Sequence, residues 1–251
     1  MTRFAELGRI TKLSVLDFGE FTAKGQSRAI GIMGFLLTTD LGKHILVDTG
    51  LPPGYTADPL ACARLDGLDA LGEVTRISAE NSVAGQLALL GLTPDDIALT
   101  ILSHSHIDRV GGLAALTHAP ILMTAAERAN PRPLYHGDHR PLDWPEAEYV
   151  LIDDDTEICD GLIAVPTPGH TLGHLSMLLV LPQTGPAILT GDALERYDQL
   201  MNGFDGADDE ALASASADRL LAFAQQGAEL VIYGHCPGQW QQIGRAPYSY
   251  S

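Results

Sequence analysis

The sequence predicts an α/β (α+β) fold in which strands come first and helices interleave with strands in two halves. Ten short apolar runs have the length and content of strands, helical periodicity falls between them, and no repeat or low-complexity tract interrupts the order. Short apolar runs that end in polar or glycine residues are typical of buried strands. The predicted strands are residues 10–15, 31–38, 44–47, 99–102, 120–123, 148–152, 162–165, 175–181, 187–190 and 229–233.

Helical patterns lie between these strands. Residues 83–90 form one predicted helix, and Thr124 with Glu127 makes a capping box for a second. Residues 208–227 form a third, which begins with an acidic first turn and keeps helical spacing to its end. A further helix is expected to start at Leu113.

Two long segments without regular periodicity are expected to border a cleft. Residues 51–77 are expected to gate the cleft or to mediate self-association, which allows a homodimer. Residues 130–145 are rich in proline and carry Tyr135, His136 and His139. This segment is too long to be a mere connector, so it is either a lid whose side chains bind substrate or a rigid surface loop with solvated histidines.

Composition favours a single domain over residues 1–251, with 45% hydrophobic residues for a large core. A net charge of −17 argues against a nucleic-acid substrate, because phosphates need basic grooves. No apolar window predicts a signal peptide or a membrane span, so a cytoplasmic protein without membrane contact is expected. The three widely spaced cysteines suit reduced thiols in that compartment.

The most informative motif is His104-Ser105-His106-Ile107-Asp108, which follows an apolar run that ends at Leu102. It places two imidazoles and a carboxylate within five residues, on a loop at a strand end. Imidazole nitrogens and carboxylate oxygens are ligands for zinc and other divalent metals. Taken alone, the motif is also compatible with a polar turn that has two solvated histidines.

Four more apolar runs end in side chains that can bind a metal. Asp48, His170, Asp192 and His235 each lie at or just beyond the end of such a run. Five strand ends with metal-compatible side chains in one chain favour a metal site over a polar turn.

The chain resembles the metallo-β-lactamase-fold hydrolases in an ordered set of motifs, and the resemblance extends from about residue 30 to residue 239. It implies a four-layer αβ/βα sandwich with one or two metal ions, usually zinc, in a cleft at the edge of two packed sheets. The tract 167–177 and the segment at Asp192 are most similar to the lactonase branch, which includes acyl-homoserine lactonases and the pyridoxolactone-opening enzyme. The matching motifs are Asp48-Thr49-Gly50, His104-Ser105-His106-Ile107-Asp108, Pro168-Gly169-His170, Gly191-Asp192 and Gly234-His235.

The resemblance divides the metal ligands into two sets that share one carboxylate. It implies that one ion polarises a scissile carbonyl while a metal-bound hydroxide attacks it. In a one-metal site, Asp108 is expected to orient the attacking water instead. The first ion is held by His104, His106 and His170, the second by Asp108 and His235, and Asp192 bridges the two ions.

Arg109 departs from the lactonase branch, in which a histidine at this position binds the second metal. A guanidinium stays protonated and has no lone pair to offer a cation. Many zinc β-lactamases are similar to this chain in having arginine here, but they have cysteine where this chain has Asp192. Arg109 is expected either to pair with an acidic neighbour or to neutralise a carboxylate on the substrate.

Glu195 is a second departure, because lactonases of this branch carry a tyrosine there that contacts the substrate carbonyl. Tyr197 is expected to reach into the cleft instead. The resemblance predicts a metal-dependent hydrolase that opens a small-molecule lactone. The alternatives are hydrolysis of another ester or of a β-lactam ring, and a metal-binding protein without turnover.

Overall fold

The computed structural model describes residues 4–136, 139–140 and 142–251. Within this part of the chain, the larger of two β-sheets has seven strands. These strands are β1 (Ile10–Ala23), β2 (Ile30–Thr39), β3 (His44–Val47), β4 (Gly72–Arg76), β5 (Ile97–Ile101), β6 (Ile121–Thr124) and β7 (Tyr149–Ile152). Their order across the sheet is β4-β1-β2-β3-β5-β6-β7.

The smaller sheet has five strands, in the order β12-β11-β10-β9-β8 once they are numbered along the chain. They are β8 (Thr156–Cys159), β9 (Leu162–Pro166), β10 (Leu175–Leu181), β11 (Gly185–Gly191) and β12 (Leu230–Tyr233). Pairing is antiparallel from β8 to β11, and β12 joins β11 in parallel.

The helices are short except for the last but one. They are α1 (Pro59–Asp66), α2 (Val83–Ala88), α3 (Ile107–Val110), α4 (Ala125–Arg128), α5 (Gln199–Asn202), α6 (Glu210–Gln225) and α7 (Pro237–Trp240). α6 begins at Glu210, two residues after the predicted start, because the Asp209 carboxylate caps it by accepting hydrogen bonds from the backbone N–H groups of Ala211 and Leu212, both at 3.0 Å. Among the described residues, no helix has the length and apolarity to cross a membrane.

The core forms where the two sheets face each other. Leu37 of β2 and Met177 of β10 belong to one buried cluster between the sheets. On the outer face of the larger sheet, Leu46 packs in a second cluster with Leu87 of α2. On the outer face of the smaller sheet, Ile188 of β11 packs in a cluster with Leu220 of α6. Helices therefore cover both outer faces, and the four-layer αβ/βα sandwich that the sequence predicts is confirmed.

The strand directions bring the predicted motifs to one edge of the sandwich. β3 and β5 run parallel, so Asp48 and His104 follow strands that end on the same side. β11 and β12 also run parallel, which places Asp192 beside His235. β9 lies two antiparallel strands away from β11 and therefore points the same way, so His170 leaves the sheet at this edge as well.

The segment 51–77 is not irregular, and this prediction was wrong. Asp58 caps α1 by accepting a hydrogen bond from the Ala61 N–H at 2.9 Å. β4 then pairs with the second half of β1, where Phe21 lies opposite Val74. The sequence gives a weak signal for this pairing, because β4 is an exposed edge strand with only one buried side chain. β8 was missed for a similar reason, since its four residues have no alternating apolar pattern.

The helix expected from Leu113 is only a 3₁₀ turn, Leu113–Leu116. The α-helical turn comes earlier, in α3, so Asp108 and Arg109 lie on that helix. The residue after α3 is Gly111, and a larger residue is excluded there because its Cβ would lie 2.1 Å from the backbone nitrogen of Pro52. The glycine pair thus allows close backbone packing and does not start a longer helix.

Trp240 anchors the carboxyl-terminal segment against the larger sheet, so its loss should destabilise the fold. The side chain is 1% exposed, its Nε1 donates to Glu20 Oε1 at 2.9 Å, and the Arg245 guanidinium lies 4.2 Å from the ring centroid. We expect Trp240→Ala to lower the free energy of unfolding by about 3–5 kcal/mol, measured by urea denaturation. Leu65→Ala, at a side chain that is 79% exposed, serves as control and should change it little. A loss as small as the control's would contradict this packing role.

Candidate metal centre

Three imidazoles converge at the shared edge of the two sheets. His106 Nδ1 lies 3.0 Å from His170 Nε2, and the ring centroid of His104 lies 4.6 Å and 4.8 Å from those of His106 and His170. Asp192 Oδ2 completes the group, at 3.3 Å from His104 Nε2 and 3.5 Å from His170 Nε2. One donor atom from each of the four side chains lies within 4.8 Å of the others.

This donor set fits a divalent metal ion. His104 Nε2 is buried, faces the group and has no hydrogen-bond partner among the described residues. In His104 and His170, the ring nitrogen that faces away from the donor group lies near an oxygen atom. His104 Nδ1 lies 3.1 Å from Ser103 Oγ, and His170 Nδ1 lies 3.7 Å from Glu195 Oε1. Metal-binding histidines usually have such partners, which fix the ring orientation.

Burial also keeps the imidazoles in the form that binds a cation. Burial, then the charge of His170, lowers the pKa of His106 to about 3. Burial and the neighbouring His106 hold the pKa of His104 well below its usual range. Neutral imidazoles offer their lone pairs to a metal at neutral pH.

Asp192 is held in place by neighbours on three sides. Its backbone N–H donates to His174 Nε2 at 2.9 Å, so this buried histidine positions the carboxylate and is not free to bind a metal. Gly234 allows the approach of β12, because a Cβ there would lie 2.3 Å from Asp192 Oδ1. Burial alone would raise the pKa of Asp192, but the Arg109 charge holds it well below the usual range, so the carboxylate is ionised.

The second predicted donor set, Asp108, Asp192 and His235, is also assembled, but Arg109 lies within it. Arg109 Nη2 lies 2.5 Å from Asp192 Oδ1 and 2.7 Å from His235 Nε2. Arg109 Nε lies 3.3 Å from Asp108 Oδ2. Burial works against the ionised form of Asp108, but the guanidinium lowers its pKa to about 2.

Arg109 is also held on the side that faces away from the second donor set. Its Nη1 donates to the Met33 carbonyl oxygen at 3.0 Å, and the residue is 1% exposed. The sequence allows two roles for Arg109, and these contacts are those of the first role, in which it pairs with acidic neighbours. Arg109 is not among the described residues that line the cavity, and its contact with a substrate carboxylate remains a prediction.

Asp48 supports the loop that carries the first two histidines. It accepts hydrogen bonds from the Ser103 N–H and Oγ, both at 2.8 Å. Burial raises its pKa to about 7, although Arg109 opposes the shift. Its φ of 61° is in the left-handed region, which aspartate tolerates better than most side chains. The Asp48-Thr49-Gly50 motif was visible in the sequence, but its supporting role was not.

Glu127 is a site residue that the sequence did not reveal. Thr124 Oγ1 accepts from the Glu127 N–H at 3.1 Å, so half of the predicted capping box is present. The Glu127 carboxylate instead accepts from Ser105 Oγ at 2.5 Å and Thr171 Oγ1 at 2.8 Å. It therefore joins the loop of His104 and His106 to the loop of His170. A local motif carries no signal for these long-range partners.

A cavity of about 160 Å³ opens beside the histidines and is bounded by Asp108, Glu195 and His235 on its polar side. Tyr135 and His136 line it, and His136 Nε2 lies 2.8 Å from the Asp66 carbonyl oxygen. Its apolar wall is formed by Phe21, Ile30, Ile32, Leu51, Leu68 and Leu71.

Two other predicted substrate contacts lie elsewhere. Tyr197 is 66% exposed, and neither it nor His139 is among the described residues that line the cavity. Their contact with substrate remains a prediction, as does the lid role of segment 130–145, of which residues 137, 138 and 141 lie outside the described part of the chain.

The family model of the metallo-beta-lactamase superfamily matches residues 32–235. The chain belongs to this superfamily. An N-acyl homoserine lactonase from a Bacillus species is 31% identical over 216 residues, which cover 84% of this chain and 83% of that protein. These matches confirm the family and the branch to which the sequence motifs point.

Solved structures give the same result. A variant of AiiA from B. thuringiensis with N-decanoyl-L-homoserine at its active site has a TM-score of 0.82 and 25% identity, and covers 96% of this chain and 100% of that one. An N-acyl homoserine lactone hydrolase with the product N-hexanoyl-L-homoserine at its catalytic metal centre matches with the same TM-score, identity and coverage.

His106 should be required for metal binding, because its Nδ1 is a central donor of the first set. We expect His106→Ala to lose the metal at the first site, measured by elemental analysis of the purified protein. His118→Ala, which removes an exposed imidazole, should keep its metal content. Full metal content and full turnover in His106→Ala would show that the first site lies elsewhere.

Proposed function

We propose that this protein is a metal-dependent hydrolase that opens the ring of N-acyl homoserine lactones. The observation that carries the proposal is the position of four metal donors, His104, His106, His170 and Asp192, at the polar end of an apolar cavity. The lactonase relatives support the reaction class, and their bound products are acyl homoserines.

The four donors are proposed to hold one divalent metal ion, with zinc as the physiological ion. Such an ion supplies a Lewis acid for the lactone carbonyl and lowers the pKa of a water molecule. The chain's own part is to keep the imidazoles of His104 and His106 neutral and the carboxylate of Asp192 ionised in a buried pocket.

Asp108 is proposed to orient the attacking water. Its carboxylate lines the cavity, and Arg109 Nε at 3.3 Å and His235 Nε2 at 3.4 Å from its Oδ2 hold it in position. Because its pKa is lowered to about 2, Asp108 stays ionised and accepts a hydrogen bond from the water, which directs the water at the lactone carbonyl.

The apolar wall is proposed to bind the acyl chain. Burying alkyl surface stabilises binding by about 25 cal/mol per Å², so each added methylene should tighten binding until the cavity is full. Leu51, Leu68 and Leu71 come from the segment 51–77, which therefore forms part of the binding wall.

The charge of the cavity favours a neutral lactone over a β-lactam. Glu195, Asp108 and Asp192 are all acidic, and no lysine or arginine is among the described lining residues. β-Lactam antibiotics usually carry a carboxylate, and apart from the metal ion the described lining residues offer it no cationic side chain to pair with.

A proton-release assay over a panel of substrates tests the function. We expect turnover of N-acyl homoserine lactones, with kcat/KM rising with acyl length over the first few added methylenes, because the apolar wall gains contact. Simple esters and β-lactams should react at least about tenfold more slowly. Metal-loaded protein that opens no lactone would refute the proposal and favour the metal-binding alternative.

Asp108→Asn tests the orienting role with an isosteric side chain. We expect kcat to fall at least about tenfold, because the neutral amide orients the attacking water less well, while KM changes little. Metal content measured on the same sample should stay the same, since Asp108 is not in the first donor set. Unchanged kcat in a fully loaded variant would rule out this role.

A further inference from the structure

The donor atoms of the second set already have a cation among them. Arg109 Nη2 is the nearest positive group to Asp192 Oδ1, at 2.5 Å, and it also faces His235 Nε2 at 2.7 Å. The other ring nitrogen, His235 Nδ1, donates to the Gly31 carbonyl oxygen at 3.0 Å, so the ring is held with Nε2 facing the guanidinium and the carboxylates of Asp108 and Asp192. One side chain thus contacts all three groups that a second metal would need.

A metal ion and this guanidinium cannot share the space. Zinc binds nitrogen and oxygen at about 2.0–2.2 Å, so an ion on Asp192 Oδ1 and His235 Nε2 would overlap Arg109 Nη2. The guanidinium cannot escape by losing a proton, because it stays protonated in proteins.

Arg109 also has no open path out of the site. Its side chain is 1% exposed, and Nη1 is held by the Met33 carbonyl oxygen at 3.0 Å. Asp48 Oδ2 lies 4.0 Å from the same nitrogen and adds a further acidic neighbour. Moving the guanidinium aside for an ion would separate this buried charge from Asp192, which is costly.

We propose that the Arg109 guanidinium takes the place of a second metal ion in this protein. Asp192 then joins one metal ion, through Oδ2, to one guanidinium, through Oδ1, and the centre holds a single ion. Arg109 is a positioning residue, because it fixes Asp192, Asp108 and His235 without touching the substrate. This inference rests on the metal site of the proposed function and adds its stoichiometry.

Metal stoichiometry under saturating conditions is the first test. Apoprotein is titrated with Co²⁺ by calorimetry, and the visible absorption and electron paramagnetic resonance spectra are recorded at each step. We expect one ion per chain and the spectrum of an isolated Co²⁺. Two tight ions per chain, or a spin-coupled signal from two neighbouring ions, would overturn the proposal.

Two variants separate the guanidinium from the other groups. Arg109→His removes the fixed cation and adds a neutral nitrogen donor, so its metal content should rise from one toward two ions per chain. Arg132→His, at a half-exposed arginine paired with Asp143, is the matched control and should stay at one. A folded Arg109→His protein that still takes a single ion would show that the guanidinium is not what excludes the second.

Asp108→Asn keeps the test decisive if Arg109→His does not fold. Since Asp108 would be a ligand only for a second ion, its loss should leave the count at one. A fall from two ions to one in this variant would overturn the proposal. Lactone opening is assayed in parallel, so that one ion without turnover refutes the function alone, and two ions with turnover refute this inference alone.

Discussion

The centre depends on the ionised carboxylate of Asp192, which is buried between imidazole rings on one side and the Arg109 guanidinium on the other. A buried carboxylate is costly unless charged or hydrogen-bonded partners surround it. Here Oδ2 faces three imidazole nitrogens, Oδ1 accepts from Arg109, and the backbone N–H of the same residue is bound by His174. The loops that supply these partners must therefore meet at one place, and the strand directions of both sheets bring them there.

Parallel strand ends explain why the sequence was informative about the first donor set. His104, His170 and Asp192 each follow a short apolar run, and such runs end at a common edge when their strands share a direction. The motif order and the family resemblance were therefore sufficient to predict the sandwich and the side chains that meet at its edge. The boundaries of α3 and the strand β4 were not predictable, because close glycine packing and edge-strand pairing depend on partners far away in the chain.

The residues that hold the donor side chains in place were harder to predict, because their partners also lie far away in the chain. The Glu127 carboxylate looks like half of a helix cap, yet its partners Ser105 and Thr171 lie 22 and 44 residues away. Arg109 was recognised as a departure from the lactonase pattern, but only the structure shows which donors surround its guanidinium. Local periodicity carries no information on where a long side chain ends.

The wall of the cavity and the metal donors come from different parts of the chain. Leu51, Leu68 and Leu71 belong to a segment between β3 and α2 that contributes no member of the first donor set. Leu51 and Pro52 pack against Gly111 at the end of α3, so they are tied to the site, whereas Leu68 and Leu71 are not part of that contact. Evolution of a new preference for the apolar part of a substrate is therefore separable from the donor set at these two positions, and a library at residues 68 and 71 is the economical place to redirect it.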